Sequence, residues 1–180
     1  MKAIVFDCLR DLVLETFGDA MWRRIAGDSP IGCDAPAHPA GDHPDAEILA
    51  LFARTCEATG LDFPRACEAF GDHWVARYLP ARYPELYEGI SSARDLILRL
   101  DAIHAGIPTR LPGAMPPRHA YAWTDADTLV IGYRSKRDLI ELFEASLRSV
   151  GNYFGTPLRT QALDRETVEV RLDRKSTRLN

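Results

Sequence analysis

Five histidines and one polar cluster are the residues of this 180-residue chain with the plainest chemistry. His38 and His43 fall in a proline- and glycine-rich stretch and His119 opens a strand-like segment, so all three read as solvated. His73 and His104 lie in helical patterns. His104 closes the apolar run Leu96 to Ile103 just before Gly106 and Pro108, and this spacing predicts a helix end that aims the imidazole into a cavity between two halves of the chain. An imidazole nitrogen so placed can ligate a metal ion. The polar cluster is Tyr133-Arg134-Ser135-Lys136-Arg137. On an extended backbone Tyr133, Ser135 and Arg137 face one side. Two hydroxyls beside a guanidinium suit a pair of carboxylates, because Arg binds them bidentately and hydroxyls fill the remaining lone pairs. Taken singly, each feature also fits a blander role: a core histidine, or a solvated strand end.

These groups need a scaffold, and the pattern of apolar residues supplies one. Residues 2 to 17 carry an apolar stripe at 4, 5, 8, 9, 12, 13 and 17 and end at Gly18, which predicts a first helix. A short helix from Asp19 to Ile25 follows, then a loop from Asp28 to Pro44 that holds several prolines. Helices are predicted from Asp45 to near Gly60, from Pro64 through Trp74 and Tyr78, and from about Ser91 to Ala105, with Pro80 and Pro84 breaking the chain between the last two. Beyond Gly106 the alternation of Tyr121 to Trp123 and Thr128 to Tyr133 predicts paired strands turning at Asp125 to Asp127. A long helix from Asp138 to Phe154 and two strands, Pro157 to Leu163 and Glu166 to Leu172, complete an α+β fold. Its helical N-terminal half packs on a C-terminal half with a small antiparallel sheet and one long helix.

Composition narrows the function classes. With 46% hydrophobic and 27% charged residues, the chain reads as one soluble domain spanning 1–172. A net charge of -4 argues against a phosphate-neutralising nucleic-acid binder. No run is long and apolar enough for a membrane helix, and Asp7, Arg10 and Asp11 interrupt any signal-peptide core, so the expected location is cytoplasmic. Only three of the 22 basic residues are lysines, a bias that suggests a GC-rich bacterial gene. Cys8, Cys33, Cys56 and Cys67 form no C-x-x-C pair and are expected as reduced thiols. Residues 173–180 look like translated sequencing adapter, a non-native tail.

Combined in order, the motifs become specific. An initial M-K-x-I-V-F helix, then D-x-I-H, G-A-x-P-P-R and Y-x-S-x-R opening a long helix resembles the H-NOX family of haem nitric oxide and oxygen binding domains, related to the haem domain of soluble guanylate cyclase. The similarity extends from Met1 to about Leu172 and takes in Ala69-Phe70-Gly71 and Arg82-Tyr83-Pro84. The resemblance implies a non-covalent haem b between the two halves. His104 stands at the proximal iron ligand, and Tyr133, Ser135 and Arg137 at the propionate clamp. Pro117 stands at the proline pressing on the macrocycle, and Val5, Leu9, Trp74 and Leu142 at the distal and flanking wall. Oxygen-binding relatives carry a tyrosine where this chain has Leu142, and with no cysteine or histidine after His119 the zinc site of some relatives is expected to be absent.

The function this implies is a gas sensor without catalysis of its own, binding NO, and also CO, at ferrous haem. It would signal to a separate histidine kinase or cyclic-di-GMP enzyme. An oxygen-binding or weakly selective sensor of the same fold is the alternative. A cofactor-free interaction domain is more remote. Phe6-Asp7 could also suggest a haloacid-dehalogenase-like hydrolase, but its aspartate should end a buried strand, whereas Cys8 to Leu12 continues a helical stripe.

Overall fold

The computed structural model describes residues 3–27, 29 and 43–172, so most of the 28–44 stretch, with His38 and Cys33, and the 173–180 tail lie outside the described residues. Four helices build the N-terminal half: α1 (Ala3–Phe17), α2 (Asp19–Ala26), α3 (Asp45–Thr59) and α4 (Phe63–His73). Asp62 caps α4 by accepting the Arg65 N–H at 3.0 Å, with Pro64 in the first turn where its missing N–H costs nothing. Phe6, Leu9, Val13, Trp22, Ile25, Ile48, Leu51 and Phe70 form the core these helices share.

The C-terminal half is a four-stranded antiparallel sheet covered by two helices. Strands β1 (Arg118–Trp123), β2 (Thr128–Arg134), β3 (Arg159–Ala162) and β4 (Thr167–Arg171) lie in the order β1-β2-β4-β3. Leu129 pairs with Val170 and Ile131 with Val168, so one sheet face turns these residues inward. They pack against Ile97 of α6 (Ala93–Arg110) and Leu147 of α7 (Ile140–Tyr153). The α+β class read from the sequence is therefore the observed one.

The halves meet where α4 crosses α7 at Gly71. A Cβ there would lie 3.0 Å from Ser149 Oγ and 3.2 Å from the Ser146 amide, tighter than ordinary van der Waals contact, so any side chain at this position would press on α7. Beyond His73 the helix widens into one π-helical stretch, Trp74–Tyr78, before the short α5 (Leu79–Arg82). Trp74 packs against both cores and joins them.

Two predicted breaks are absent. Pro80 does not end the helix: it falls just after the π-helical stretch, where the Val75 carbonyl five residues earlier accepts the Tyr87 hydroxyl at 2.7 Å, and the chain turns instead at Tyr83. Likewise α6 runs through Gly106 and Pro108 to Arg110. Pro108 cannot donate to the carbonyl of His104, four residues earlier, but the Leu111 N–H bonds the Ile107 carbonyl at 2.8 Å and keeps the last turn wound. His104 thus lies inside α6 and not at its end.

Candidate functional site

Several polar contacts from β1 and its approach fix α6 around His104. Asp101, three residues earlier, receives Arg118 Nε at 2.8 Å and Nη2 at 2.6 Å, together with the His119 amide at 2.7 Å. The Arg118 guanidinium, and then that amide, hold the Asp101 carboxyl well below the usual carboxylate range. Tyr121 donates its hydroxyl to the Ile97 carbonyl at 2.9 Å and accepts the Asp101 N–H at 3.1 Å.

The His104 imidazole is oriented by its own pair of contacts. Nδ1 lies 3.0 Å from the Pro117 carbonyl and 3.1 Å from His119 Nε2. A carbonyl only accepts, so Nδ1 carries the proton and Nε2 keeps its lone pair. Burial lowers the His104 pKa, which favours the neutral ring that a metal requires.

His119, expected in solvent, is 8% exposed. It stacks on Phe143 with centroids 4.8 Å apart, and Phe143 stacks on Tyr133 at 4.8 Å. His119 and Tyr133 are register partners across β1 and β2. Burial, and then the neighbouring His104, bring the His119 pKa down to about 4.

The Y-x-S-x-R segment keeps its predicted alternation: Tyr133 is buried and Ser135 and Arg137 half-buried, while Arg134, Lys136 and Asp138 are exposed. Ser135 Oγ accepts the Arg137 N–H at 3.2 Å and shapes the turn into α7. Arg137 donates Nη1 to the Met115 carbonyl at 2.8 Å, and its Nε sits 2.8 Å from the Asp45 carboxylate at the start of α3. Asp45 shows that this guanidinium can pair with a carboxylate from across the seam.

The wall residues gather on the N-terminal side. Leu9 is buried in that core, and Val5, Trp74 and Leu142, all half-buried, pack against it. Trp74 stacks between Phe70 at 5.7 Å and Tyr78 at 5.6 Å. Pro117 joins the opposite side through its carbonyl.

A haem-NO-binding family model matches residues 2–162. The chain belongs to this family. Its members bind haem, and H-NOX domains are gas-sensing modules. Comparison with curated proteins gives no match. Among solved structures, the chain is similar to the ferrous, unliganded A71G variant of the K. algicida H-NOX protein, at 19% identity and TM-score 0.80, covering 96% of this chain and 97% of that one. It is also similar to the oxygen complex of an oxygen-binding H-NOX domain related to soluble guanylate cyclases, at 17% identity and TM-score 0.82, covering 100% and 99%.

The donor set of this H-NOX domain fits a haem. The side-chain chemistry suits the group: an imidazole whose Nδ1 is engaged by the Pro117 carbonyl and His119, a guanidinium that already pairs with a carboxylate, and hydrocarbon and aromatic side chains gathered around Leu9. His119 reads as solvated in the sequence and Tyr78 only as part of a helix, and Asp45 only as a helix start, yet all three lie beside the candidate residues. His119 was legible in the hairpin register, since the turn at Asp125 to Asp127 pairs it with Tyr133, and Tyr78 in its place one helical turn after Trp74. Asp45 had no local signal beyond its place at the start of a helix.

Proposed function

We propose that this H-NOX domain is a nitric oxide sensor of the bacterial cytoplasm that binds haem b non-covalently and reports to a separate partner protein. Ferrous haem supplies the coordination position at which a diatomic gas binds. His104 supplies the protein's bond to iron through Nε2. Tyr133, Ser135 and Arg137 hold the propionates, with Asp45 yielding Arg137 to them. Pro117 would lie against the macrocycle, and its carbonyl accepts the Nδ1–H of His104. Val5, Leu9, Trp74 and Leu142 line the gas-binding side.

The observation that carries the assignment to NO is the apolar chemistry of that wall. A hydrogen-bond donor on this wall would favour oxygen, which would carry partial negative charge when held there, by on the order of 1 to 3 kcal/mol, and would favour the nearly neutral NO far less. Val5, Leu9 and Leu142 offer no donor. A second reading, oxygen binding, draws on the Trp74 and Tyr78 pair, whose indole N–H and phenol belong to the same region.

Signal output follows from how α6 is tied. Any displacement of His104 moves Asp101 and Pro117 with it, and so reaches Arg118, Tyr121 and the edge strand β1. A switch of this kind needs two packings separated by a few kcal/mol. The partner expected from the family resemblance is a histidine kinase or a cyclic-di-GMP enzyme. The test is the absorption spectrum of haem-loaded, reduced protein under NO, CO and air. Stable NO and CO complexes with none in air support the assignment, and a stable oxy spectrum overturns it in favour of the second reading.

A further inference from the structure

Proton counting around His104 identifies a role for its neighbour. Three acceptor-capable atoms converge: His104 Nδ1, the Pro117 carbonyl at 3.0 Å and His119 Nε2 at 3.1 Å. If His104 presents a bare Nε2, its one ring proton sits on Nδ1, and both neighbours must then accept. The carbonyl always does. His119 does so only in the tautomer with its proton on Nδ1 and a lone pair on Nε2. Phe143 stacked on the His119 ring, and the pairing of its strand position with Tyr133, leave that ring little freedom to rotate away.

We propose that His119 is a positioning residue for the iron ligand. It accepts the His104 Nδ1–H jointly with Pro117, fixing the tautomer and ring plane of His104 and making Nε2 a stronger electron donor. The geometry excludes a role as a spare ligand, because His119 addresses the Nδ1 edge of the ring, away from Nε2. Partners of this kind orient metal-bound imidazoles and raise their basicity, and losing one typically weakens metal binding about ten- to a hundredfold. The inference rests on the assignment of His104 above, and the test keeps the two apart.

The first arm uses haem-free protein labelled with nitrogen-15 at histidine. Its nuclear magnetic resonance spectra should show His104 protonated at Nδ1 and His119 bare at Nε2. A proton on His119 Nε2 overturns the proposal whatever binds the iron. The second arm compares haem-loaded, reduced wild type with His119→Phe, which keeps a ring on Phe143 but removes the acceptor, and with His119→Gln, which restores one. The iron–histidine stretch in resonance Raman spectra should fall in His119→Phe and return towards wild type in His119→Gln, with haem loss about tenfold faster in the Phe variant. An unchanged stretch in His119→Phe overturns the proposal even if the fold loosens. If His104 is not the iron ligand, the first arm still holds while the iron–histidine band survives in His104→Gly.

Discussion

His73 and His104 look alike in the sequence, each a histidine in an apolar helix, yet the fold surrounds them with opposite chemistry. His73, 5% exposed, lies between two carboxylates of α1: Nε2 is 3.2 Å from Asp11 and Nδ1 3.9 Å from Glu15. Those carboxylates also hold Arg82 at 3.5 Å and Arg77 at 3.0 Å. The three ligand-type side chains lie close enough to surround a cation. The two guanidiniums already balance the acids, however, so a divalent ion would have to displace both. The cluster is a polar strut joining α1 to α4. Among the described residues, the hydrogen-bond partners of the His104 ring are the Pro117 carbonyl and His119, both on its Nδ1 edge. What prepares an imidazole for iron is the partner that leaves one nitrogen bare, and carboxylates on both edges do the reverse.

The sharpest way to break this contrast is to delete each ring in turn. His104→Gly should lose haem on purification and regain it when imidazole is supplied, read from the Soret band. His73→Leu should keep full haem stoichiometry. Haem retained by His104→Gly with an unchanged ferrous spectrum, and lost from His73→Leu, would reverse the assignment.

Next in size is the clamp. Ser135→Ala with Arg137→Ala removes two bonds of about 1.5 to 3 kcal/mol each where charge assists them. Haem dissociation should quicken by roughly two to four orders of magnitude. Dissociation as slow as wild type would reduce Y-x-S-x-R to a turn into α7. A smaller effect is expected on the gas side, where Leu142→Tyr should add oxygen affinity by roughly ten- to a hundredfold if the hydroxyl reaches the bound gas. Titration with oxygen measures it, and Trp74→Phe and Tyr78→Phe report which native donor, if either, contributes.

The strut should register in stability and not in haem content. His73→Leu removes a buried imidazole from Asp11 and Glu15, at a cost of about 1 to 3 kcal/mol in denaturant unfolding of the haem-free protein. A cost near zero would mean that the arginines alone hold α1 on α4.

Legibility in the sequence followed how local each cause is. Helix α1 was readable because its stripe and Gly18 are both local signals, and the β1–β2 hairpin because alternation flanks a compact turn. The end of α6 was misread because Gly106 and Pro108 look like breakers, whereas the following turn stays wound without the one lost donor. The hairpin register places His119 beside Tyr133, but its burial under Phe143 of α7 is a contact that no window around residue 119 contains. The alternation of Y-x-S-x-R was legible as a pattern, but the Asp45 carboxylate on Arg137 comes from another helix altogether.

The smallest expected effect concerns Asp101, and it tests why the His104 side stays neutral. Asp101 is one helical turn from His104, so a carboxylate is available there as it is at His73. It is drawn away instead by the two Arg118 nitrogens and the His119 amide. Its folded pKa lies below the unfolded value of about 3.9. The stability it contributes is therefore complete above that pH and is lost as pH falls further, because the unfolded chain then binds a proton that the folded one resists. Arg118 is more than half exposed, so salt screens the pair and the contribution stays small. Asp101→Asn in haem-free protein should flatten the acid limb of the stability curve below about pH 4, most visibly at low salt, and leave stability near neutral pH only slightly reduced. An acid limb identical to wild type would show that the Arg118 and His119 contacts do not hold the Asp101 carboxylate, and the contrast with His73 would then rest on His119 and Pro117 alone.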